Sequence, residues 1–548
     1  MHLNNGSITS IELTDSESII FNEEVIDEFI GKEIQQGFPG AALIITRYGK
    51  ILKQTVYGYK LKYDENATLI KQAQLLTLDT MFDLASLTKM YATNYALMHL
   101  AAQGALNVDD PIKKYIPQYC GCNPDNECRE TRLIKDLLTH TAGYTSSVKF
   151  YDPTKVSSDF FSQDKYKTEE IIETKLEFQR PRGGDQLPVY SDIDYMLLGL
   201  VVEHISGMSI DQYVKINIYQ QLGLTHTLFN PLNNRNYQKS DFAATELNGN
   251  TRNHTINFPN VRTYILQGEV HDEKSFYSMN GLSGHAGLFS NLNDMSILTQ
   301  IMLNNGTYEN IKFWNQNVQD LFLTPYAYDP TYGLGWRLNH NKSLSWFGLY
   351  ASDEAYGHTG WTGTCTVIDP KYSMAITLLT NKRHTPYFNG TFDGEKYETG
   401  KYGIGALRDA FTTQIQPIVA RVPYIVGIDN HEYDHIIERD KDSSNASGLG
   451  GFRLRCFDVG SIHIIYYSTE HDFRRLSPQY IWIEQDLRSV NRSRTPWLIV
   501  SSRRQVYTSE IESIEEHGIT MMSQFYLEPL FCQYHIDVNL FAHCHSYE

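Results

Sequence analysis

The sequence predicts an α+β domain whose sheet is built from strands at both ends of the domain, with helices supplied by its middle. Segments rich in branched and aromatic residues at 41–57 and 363–380 read as strands. Two strongly apolar segments between them, at 87–103 and 193–205, have the spacing of buried helices. This order of strands, helices and strands is typical of an α+β domain.

The first strands form a hairpin. Residues 41–57 (AALIITRYGKILKQTVY) break at Tyr48-Gly49-Lys50, which predicts two strands joined by a tight turn. A helix over 87–103 follows and stops at Gly104; its largely apolar face is made of Leu87, Met90, Tyr95, Leu97 and Leu100.

The end of the domain returns to strands. The helix over 193–205 directly follows Tyr190-Ser191-Asp192, and strands are predicted at 363–368 and 375–380. A closing helix over 402–414 ends the domain at residue 415, and residues 1–20 form an N-terminal tail. Because 548 residues exceed the usual size of a single core, a second domain is expected after a linker at 416–420.

Ser86-Leu87-Thr88-Lys89 lies at the start of the first helix. Residues three apart on a helix are neighbours, so this pattern predicts that the Lys89 ammonium lies beside the Ser86 hydroxyl. The N-terminus of a helix also favours negative charge that develops near the serine. By itself S-x-x-K is a common pattern, and a capping serine followed by a surface lysine is the alternative interpretation.

Two fragments downstream change that interpretation, because they follow S-x-x-K in a fixed order. They are Tyr190-Ser191-Asp192 and His358-Thr359-Gly360, the second within YGHTGWTGT. S-x-x-K combined with a K-T-G-like strand is typical of β-lactamases and penicillin-binding proteins. With stretches such as FDLASLTKMYATN and LQGEVHDEKSFYSMNGLSGHAGLFS, residues 21–415 resemble the serine β-lactamase-like family, in its class C and penicillin-binding protein 4B type. The resemblance implies a β-lactamase/transpeptidase-like fold, in which helices and a helical subdomain flank a central antiparallel sheet.

The resemblance implies a catalytic role for three residues. Ser86 is the nucleophile that becomes acylated, since a serine hydroxyl reacts only when a neighbouring group activates it. Lys89 either accepts the serine proton or holds the neighbouring tyrosine as a more acidic phenol. Tyr190 takes the place of the family's Tyr-x-Asn tyrosine and relays the proton between Ser86 and the leaving group.

Five further residues are implied to bind substrate. Thr359, Gly360 and Trp361 line the site, and the backbone N–H groups of Ser86 and Trp361 form the oxyanion hole. Asp192 replaces the usual asparagine, and a carboxylate accepts hydrogen bonds but cannot donate them. His358 stands where the family carries lysine, so we expect a mostly neutral side chain and weaker recognition of substrate carboxylates. His140 and His285 are predicted to be structural.

The implied function is that of a serine hydrolase or acyltransferase resembling a D-alanyl-D-alanine carboxypeptidase, acting on a D-alanyl peptide, a β-lactam or an ester. The alternatives are an esterase with little peptidase activity and a catalytically silent binding or scaffold protein. No cofactor is implied. A net charge of −17 without a long basic run argues against nucleic acid as a partner. The apolar run at 195–202 is far shorter than the ~20 residues of a membrane span.

The N-terminal residues and the cysteines leave the compartment open. Residues 1–18 have neither a basic nor an apolar region, so no signal peptide is predicted there. Cys120, Cys122 and Cys128 cluster within a polar loop, which indicates either a disulfide or part of a metal site.

Residues 421–548 resemble the carboxy-terminal part of the purple acid phosphatase domain, a dinuclear metallophosphoesterase. Its metal-binding motifs appear as DNHE and AHCH, which makes Asn430, His543 and His545 vestigial ligand candidates for Fe or Zn. Arg503 stands where an imidazole ligand belongs, and the aspartate motifs that should precede the segment are missing. Because a two-metal site must clamp both ions, we expect a partial α/β segment without phosphatase activity.

Overall fold

The computed structural model describes residues 23–123, 127–182, 187–342, 344–347, 351–397, 399, 455–459, 462–467, 472–502 and 514–541. Contacts between residues divide the chain into two compact units, Met1–Gln414 and Ile415–Glu548. The predicted tail, closing helix and linker lie outside the described residues.

The first unit contains fourteen strands among its described residues. They are β1 (Gly40–Arg47), β2 (Lys50–Tyr63), β3 (Leu69–Leu75), β4 (Phe82–Asp83), β5 (Leu228–Phe229), β6 (Leu288–Ser290), β7 (Thr307–Tyr308), β8 (Ile311–Lys312), β9 (Arg337–Leu338), β10 (Tyr356–Gly360), β11 (Thr364–Asp369), β12 (Met374–Thr380), β13 (Tyr387–Phe388) and β14 (Thr391–Phe392).

Eight α-helices accompany them in the described part of this unit. They are α1 (Glu23–Gln36), α2 (Tyr95–Ala102), α3 (Ile134–Leu138), α4 (Lys165–Glu170), α5 (Asp192–Ser206), α6 (Ile210–Val214), α7 (Leu292–Leu303) and α8 (Gln316–Leu323). Wider, π-helical turns occupy Lys89–Asn94, Ile171–Lys175, Lys215–Tyr219 and Lys274–Ser278.

A seven-stranded sheet in the order β3-β2-β1-β12-β11-β10-β9 forms the centre of the unit, and all its neighbouring strands are antiparallel. The pairing of β1 with β12 joins the two ends of the domain, with Leu43 opposite Leu378. This confirms the prediction that the sheet is built from both ends. Strand β10 agrees with the K-T-G-like strand of the resemblance, although its own residue pattern does not indicate a strand, because Tyr356-Gly357-His358-Thr359-Gly360 is rich in glycine and polar residues.

Both faces of the sheet are buried, which explains the continuous apolar run of β1. On one face Leu43 and Ile45 pack in a cluster with Ile26 and Ile30 of α1. On the other face Ile44 joins the main core, which contains α2, α5 and α7. Consecutive side chains of a strand point to opposite faces, so each face receives alternate residues of β1.

The helix predicted over 87–103 is shorter and less regular than expected. Its first turns, Lys89–Asn94, are π-helical, and regular α-helix begins only at Tyr95. The Tyr219 hydroxyl donates to the Tyr91 carbonyl at 2.8 Å, so a side chain from outside competes for a carbonyl within the wide turn. Insertion of a side chain into the hydrogen-bond ladder is a common cause of such irregularity.

No single helix in the described part of the chain is long and apolar enough to cross a membrane. Helix α5 and the segment Ile210–Tyr219 meet the criterion of length and composition only as a pair, bent by 68°. The apolar residues of α5 belong to the main core.

Cys122 and Cys128 form a disulfide, which decides between the two alternatives left open for these two thiols. Cys120 is a free, exposed thiol. The two bonded residues also form an isolated antiparallel β-bridge with each other.

The second unit is a four-stranded sheet with two helices in its described residues. Its strands are β15 (Arg455–Val459), β16 (Ile462–Tyr466), β17 (Trp497–Ser502) and β18 (Val538–Phe541), in sequence order across the sheet. The first pair is antiparallel and the other two are parallel, and each parallel pair is connected through a helix, α9 (Pro478–Ser489) or α10 (Ile514–Gln533). The unit therefore has α/β character, whereas its likeness to a metallophosphoesterase stays a prediction. Asn430, Arg503, His543 and His545 lie outside the described residues.

Truncation after Gln416 is expected to leave hydrolysis by the first unit intact, because every candidate catalytic residue precedes that position. The same variant should be more soluble, since a partial sheet exposes unpaired strand edges. Turnover of p-nitrophenyl acetate by the truncated and full-length proteins measures the first expectation. Metal analysis of the full-length protein tests the second unit: phosphatase activity lost on chelation, or two equivalents of iron or zinc, would contradict its predicted inactivity.

Candidate active site

Ser86 lies in a tight turn between β4 and the π-helical segment. The turn is fixed by Ala85, which has a left-handed backbone (φ 47°) and whose N–H donates to the Asp83 carboxylate at 2.8 Å. Ser86 is half-buried, whereas Lys89 is fully buried, and Lys89 Nζ donates to Ser86 Oγ at 3.0 Å. The hydroxyl is therefore accessible to a ligand, while its ammonium neighbour is shielded from water.

The hairpin of β10 and β11 is pressed against this turn. The Thr362 hydroxyl donates to the Asp83 carbonyl at 2.7 Å, and the Thr364 hydroxyl donates to the Leu84 carbonyl at 2.9 Å. A Cβ atom added to Gly360 would lie 2.5 Å from the Leu84 carbonyl oxygen, so glycine is required at this close approach. The contacts bring the segment from Thr359 to Trp361 beside Ser86.

A chain of four alternating charges extends from the serine into the protein. Lys89 Nζ is 2.9 Å from Asp192 Oδ1, and Lys274 Nζ is 3.1 Å from Asp192 Oδ2. Lys274 also lies 2.9 Å from Asp272, whose other oxygen is 2.8 Å from His285 Nε2. Both oxygens of Asp192 thus accept from lysine ammonium groups, so this carboxylate positions Lys89 and Lys274.

The four charges hold one another ionised. Burial alone would raise the pKa of Asp192, but the ammonium groups of Lys89 and Lys274 outweigh it and the pKa lies below its usual range. Asp272 has its pKa lowered well below the usual value in the same way, by Lys274 and His285. Burial would lower the pKa of both lysines, yet the facing carboxylates keep the pKa of Lys89 raised and that of Lys274 well raised. At neutral pH Lys89 is therefore an ammonium ion.

Tyr190 is half-buried in the coil that precedes α5. Its ring centroid is 4.9 Å from Lys89 Nζ, 5.9 Å from the His358 ring and 4.7 Å from the His140 ring. His140 is buried behind it, and burial together with the Lys89 charge holds the pKa of its imidazole well below the usual value. A neutral ring that packs against Tyr190 agrees with the structural role predicted for His140.

His358 is buried on β10 and faces the same space. Its Nδ1 is 2.7 Å from the Thr359 carbonyl oxygen, which can only accept, so Nδ1 carries the proton and Nε2 is unprotonated. Burial and the neighbouring Lys89 charge lower the pKa of His358 to about 3. The neutral side chain expected from the sequence is thus stabilised by its surroundings.

Sequence analysis missed two members of the charge chain, Asp272 and Lys274, and assigned a structural role to His285. All three lie within LQGEVHDEKSFYSMNGLSGHAGLFS, one of the stretches on which the resemblance rested. The run of charged and titratable residues at 271–274 (HDEK) within a motif of the resemblance was the signal available in the sequence. Asp192 and Lys274 are more than eighty residues apart, so their pairing is a product of the tertiary structure.

The carboxylates of the charge chain also form a potential metal-ligand group. One atom each from Asp192, Asp272 and His285 lie within 4.8 Å of one another. However, Lys274 Nζ already lies between the two carboxylates, at 3.1 and 2.9 Å. The lysine ammonium thus supplies the positive charge that a metal ion would bring to this position.

Comparison with known proteins agrees with this geometry. The model of the beta-lactamase family matches residues 22–395, more than half of the chain. The chain belongs to the beta-lactamase family. A Bacillus subtilis (strain 168) family member named N-acetylmuramyl-L-alanine amidase is 47% identical over 74% of this chain and 93% of its own length. An Escherichia coli (strain K12) member with the provisional name D-alanyl-D-alanine carboxypeptidase is 45% identical over 69% of this chain and 86% of its own.

Solved structures of this beta-lactamase family fold resemble the chain as well. A penicillin-binding protein homologue from Caulobacter crescentus has a TM-score of 0.50 at 15% identity, covering 71% of this chain and 96% of its own. The octameric penicillin-binding protein homologue from Pyrococcus abyssi has a TM-score of 0.51 at 17% identity, and the match covers 80% of this chain and 86% of the homologue. The β-lactamase-like fold expected for the first unit is therefore confirmed, and the protein is a serine hydrolase of the β-lactamase and penicillin-binding protein type.

Proposed function

We propose that this protein is an amidase that cleaves the bond between the lactyl carbonyl of N-acetylmuramic acid and L-alanine in peptidoglycan fragments. The observation that carries the proposal is the neutral, buried His358 at the position where the family holds a lysine. The name and 47% identity of the Bacillus subtilis relative support the same substrate.

The leaving group distinguishes this substrate from a D-alanyl-D-alanine peptide. In the latter, the departing D-alanine carries a carboxylate next to the scissile bond, and the family's lysine supplies a matching charge. In a muramyl peptide the L-alanine carbonyl continues into an amide, so no carboxylate lies there. A neutral imidazole whose Nε2 can accept a hydrogen bond suits that amide, and it offers no charge to a carboxylate.

The proposed chemistry passes through an ester of Ser86. Lys89 is already protonated, so it cannot accept the serine proton. We therefore assign the proton relay to Tyr190, whose ring centroid lies 4.9 Å from the Lys89 ammonium, so that Lys89 stabilises negative charge that develops on the tyrosine oxygen during proton transfer. Tyr190 takes the proton from Ser86 as Oγ attacks the lactyl carbonyl, and passes it to the departing amine as the C–N bond breaks. Water then attacks the ester by the reverse proton path, releasing the muramyl acid and Ser86.

A D-alanyl-D-alanine carboxypeptidase is the second candidate, because the Escherichia coli relative carries that name at 45% identity. An esterase would use the same acyl-enzyme. A silent scaffold is disfavoured by the Ser86–Lys89 hydrogen bond and by the fully paired charges behind it.

The experiment compares two substrates on the purified protein, with product release followed by chromatography and mass spectrometry. N-acetylmuramyl-L-alanyl-D-isoglutamine should be cleaved to N-acetylmuramic acid and L-alanyl-D-isoglutamine. Diacetyl-L-lysyl-D-alanyl-D-alanine should be turned over more slowly, and a p-nitrophenyl ester reports whether acylation occurs at all. Release of D-alanine alone would replace the proposal with the second candidate.

Exchange of His358 for lysine is expected to change the preference between these two substrates. His358→Lys restores a cation facing the carboxylate of the departing D-alanine, and a charge-assisted hydrogen bond is worth ~1.5–3 kcal/mol. Because Lys89 lies nearby and opposes a second cation, we expect the lower end of that range, about a tenfold rise in the ratio of kcat/KM for the D-alanyl peptide to that for the muramyl peptide. The exposed His254 provides the matched control, since His254→Lys should leave the ratio unchanged. An unchanged or lower ratio in His358→Lys would show that this position does not face the leaving group.

A further inference from the structure

Trp361 has a large, exposed side chain that is held in a fixed position, and the hydrolytic mechanism requires neither the exposure nor the fixed position. Its side chain is 52% exposed, although the residues on either side of it, Gly360 and Thr362, are buried against the nucleophile turn. The backbone N–H expected at the oxyanion hole could be supplied by any residue except proline. The oxyanion hole therefore does not explain why this position carries a large indole side chain.

The indole is held in a fixed position by a buried arginine. The Arg383 guanidinium lies 3.7 Å from the ring centroid, and its Nε donates to the Trp361 carbonyl at 2.8 Å. Arg383 itself is 2% exposed and is anchored by Glu395 at 2.7 Å. One ring face is thus covered by a cation, while the remaining surface of the indole faces solvent beside Ser86.

We propose that Trp361 is a stacking platform for the pyranose ring of N-acetylmuramic acid on the acyl side of the scissile bond. This inference rests on the proposed function and names the group that the site recognises. An aromatic face carries partial negative charge, so it attracts the partly positive C–H bonds of a sugar ring. Because Arg383 fixes the indole beforehand, little side-chain entropy is lost when a ligand stacks on it.

The geometry of the substrate matches the place of Trp361 in the fold. In a muramyl amide only the lactyl α-carbon and an ether oxygen separate the scissile carbonyl from the sugar ring. Trp361 is similarly close to the nucleophile, because Gly360 and Thr362 on either side of it touch Leu84 and Asp83, just before Ser86. In a D-alanyl peptide the ether oxygen and the sugar are replaced by the amide nitrogen and the preceding peptide chain, so no pyranose ring is presented to the indole.

The test compares Trp361→Ala with the wild type on two substrates. The fall in kcat/KM for N-acetylmuramyl-L-alanyl-D-isoglutamine should exceed the fall for p-nitrophenyl acetate by on the order of tenfold, because only the first substrate has a pyranose ring on the acyl side, whereas the acyl group of the ester is acetyl. Trp361→Phe should recover part of the difference, since it restores an aromatic face. Trp497→Ala removes an indole of similar exposure (56%) in the second unit and should change neither value.

A second measurement separates the platform from the identity of the scissile bond. Free N-acetylmuramic acid should inhibit hydrolysis of p-nitrophenyl acetate by the wild type, and its inhibition constant should rise about tenfold in Trp361→Ala. If N-acetylmuramic acid inhibits and its inhibition weakens in Trp361→Ala, but the muramyl peptide is not cleaved, the stacking role of Trp361 is supported and the proposed amidase activity is wrong. If the peptide is cleaved and Trp361→Ala shows neither the selective loss nor the weaker inhibition, the platform is wrong and the amidase stands. Absence of both cleavage and inhibition overturns both.

Discussion

Ser86→Ala is expected to abolish turnover, with a loss in kcat on the order of 10⁶. The reason is that Ser86 Oγ is the hydroxyl that hydrogen-bonds to Lys89 Nζ, at 3.0 Å, at the accessible end of the charge chain. Removing it leaves no group to carry the acyl intermediate. Steady-state hydrolysis of p-nitrophenyl acetate and of the muramyl peptide measures the loss.

A matched control separates loss of the nucleophile from loss of the fold. Ser191→Ala removes a buried hydroxyl that donates to the Thr145 carbonyl at 2.7 Å and does not reach Ser86. It should cost about 1 kcal/mol of stability and leave most of the activity. Ser86→Ala should unfold at the wild-type temperature, and mass spectrometry should find an acyl adduct only on proteins that retain Ser86. Residual turnover above a few per cent in a clean Ser86→Ala preparation would disprove the proposed mechanism.

Asp192→Asn is expected to destabilise the first unit by ~3–5 kcal/mol, because it leaves two buried ammonium groups without their shared carboxylate. Asp192 lies 2.9 Å from Lys89 and 3.1 Å from Lys274, and its side chain is 19% exposed. An amide of the same shape keeps one acceptor oxygen but no charge. The urea concentration at which hydrolytic activity is lost reports the stability of this unit separately from the second one.

Adding Lys274→Met to Asp192→Asn tests whether charge imbalance causes the loss. The double variant should be less destabilised than the sum of the two single variants, since the methionine removes one of the unmatched cations. Additive losses would mean that the lysines and Asp192 are not energetically coupled. The two variants that carry Asp192→Asn should show a lower pKa for Lys89, because its raised pKa depends on the Asp192 charge.

Local sequence signals predicted the parts of the fold that repeat with a regular period. The strands β1, β11 and β12 and the helix α5 were predicted to within two residues, because burial makes each of them strongly apolar. Strand β2 was predicted to end at residue 57 but continues to Tyr63. The contact between Ser86 and Lys89 also followed from helical spacing, although the turn that carries it is wider than an α-helix. Strand β10 followed only from the match to the family's K-T-G-like strand, since its strand geometry comes from pairing with β11 rather than from its own composition.

The sequence by itself determined the family, the order of the site motifs and the presence of a serine beside a lysine. Apart from the mostly neutral His358 expected from the sequence, only the tertiary structure decided the charge states, because these depend on groups that are distant in the chain. Lys89 is an ammonium ion since Asp192 lies against it, and Asp192 is in turn held by Lys274, which no local pattern connects to the serine. His358 is neutral because it is buried beside Lys89, and Trp361 is rigid because Arg383 stacks on it from a later segment. Burial and Coulomb interactions act through space, and a linear pattern of residue types records neither.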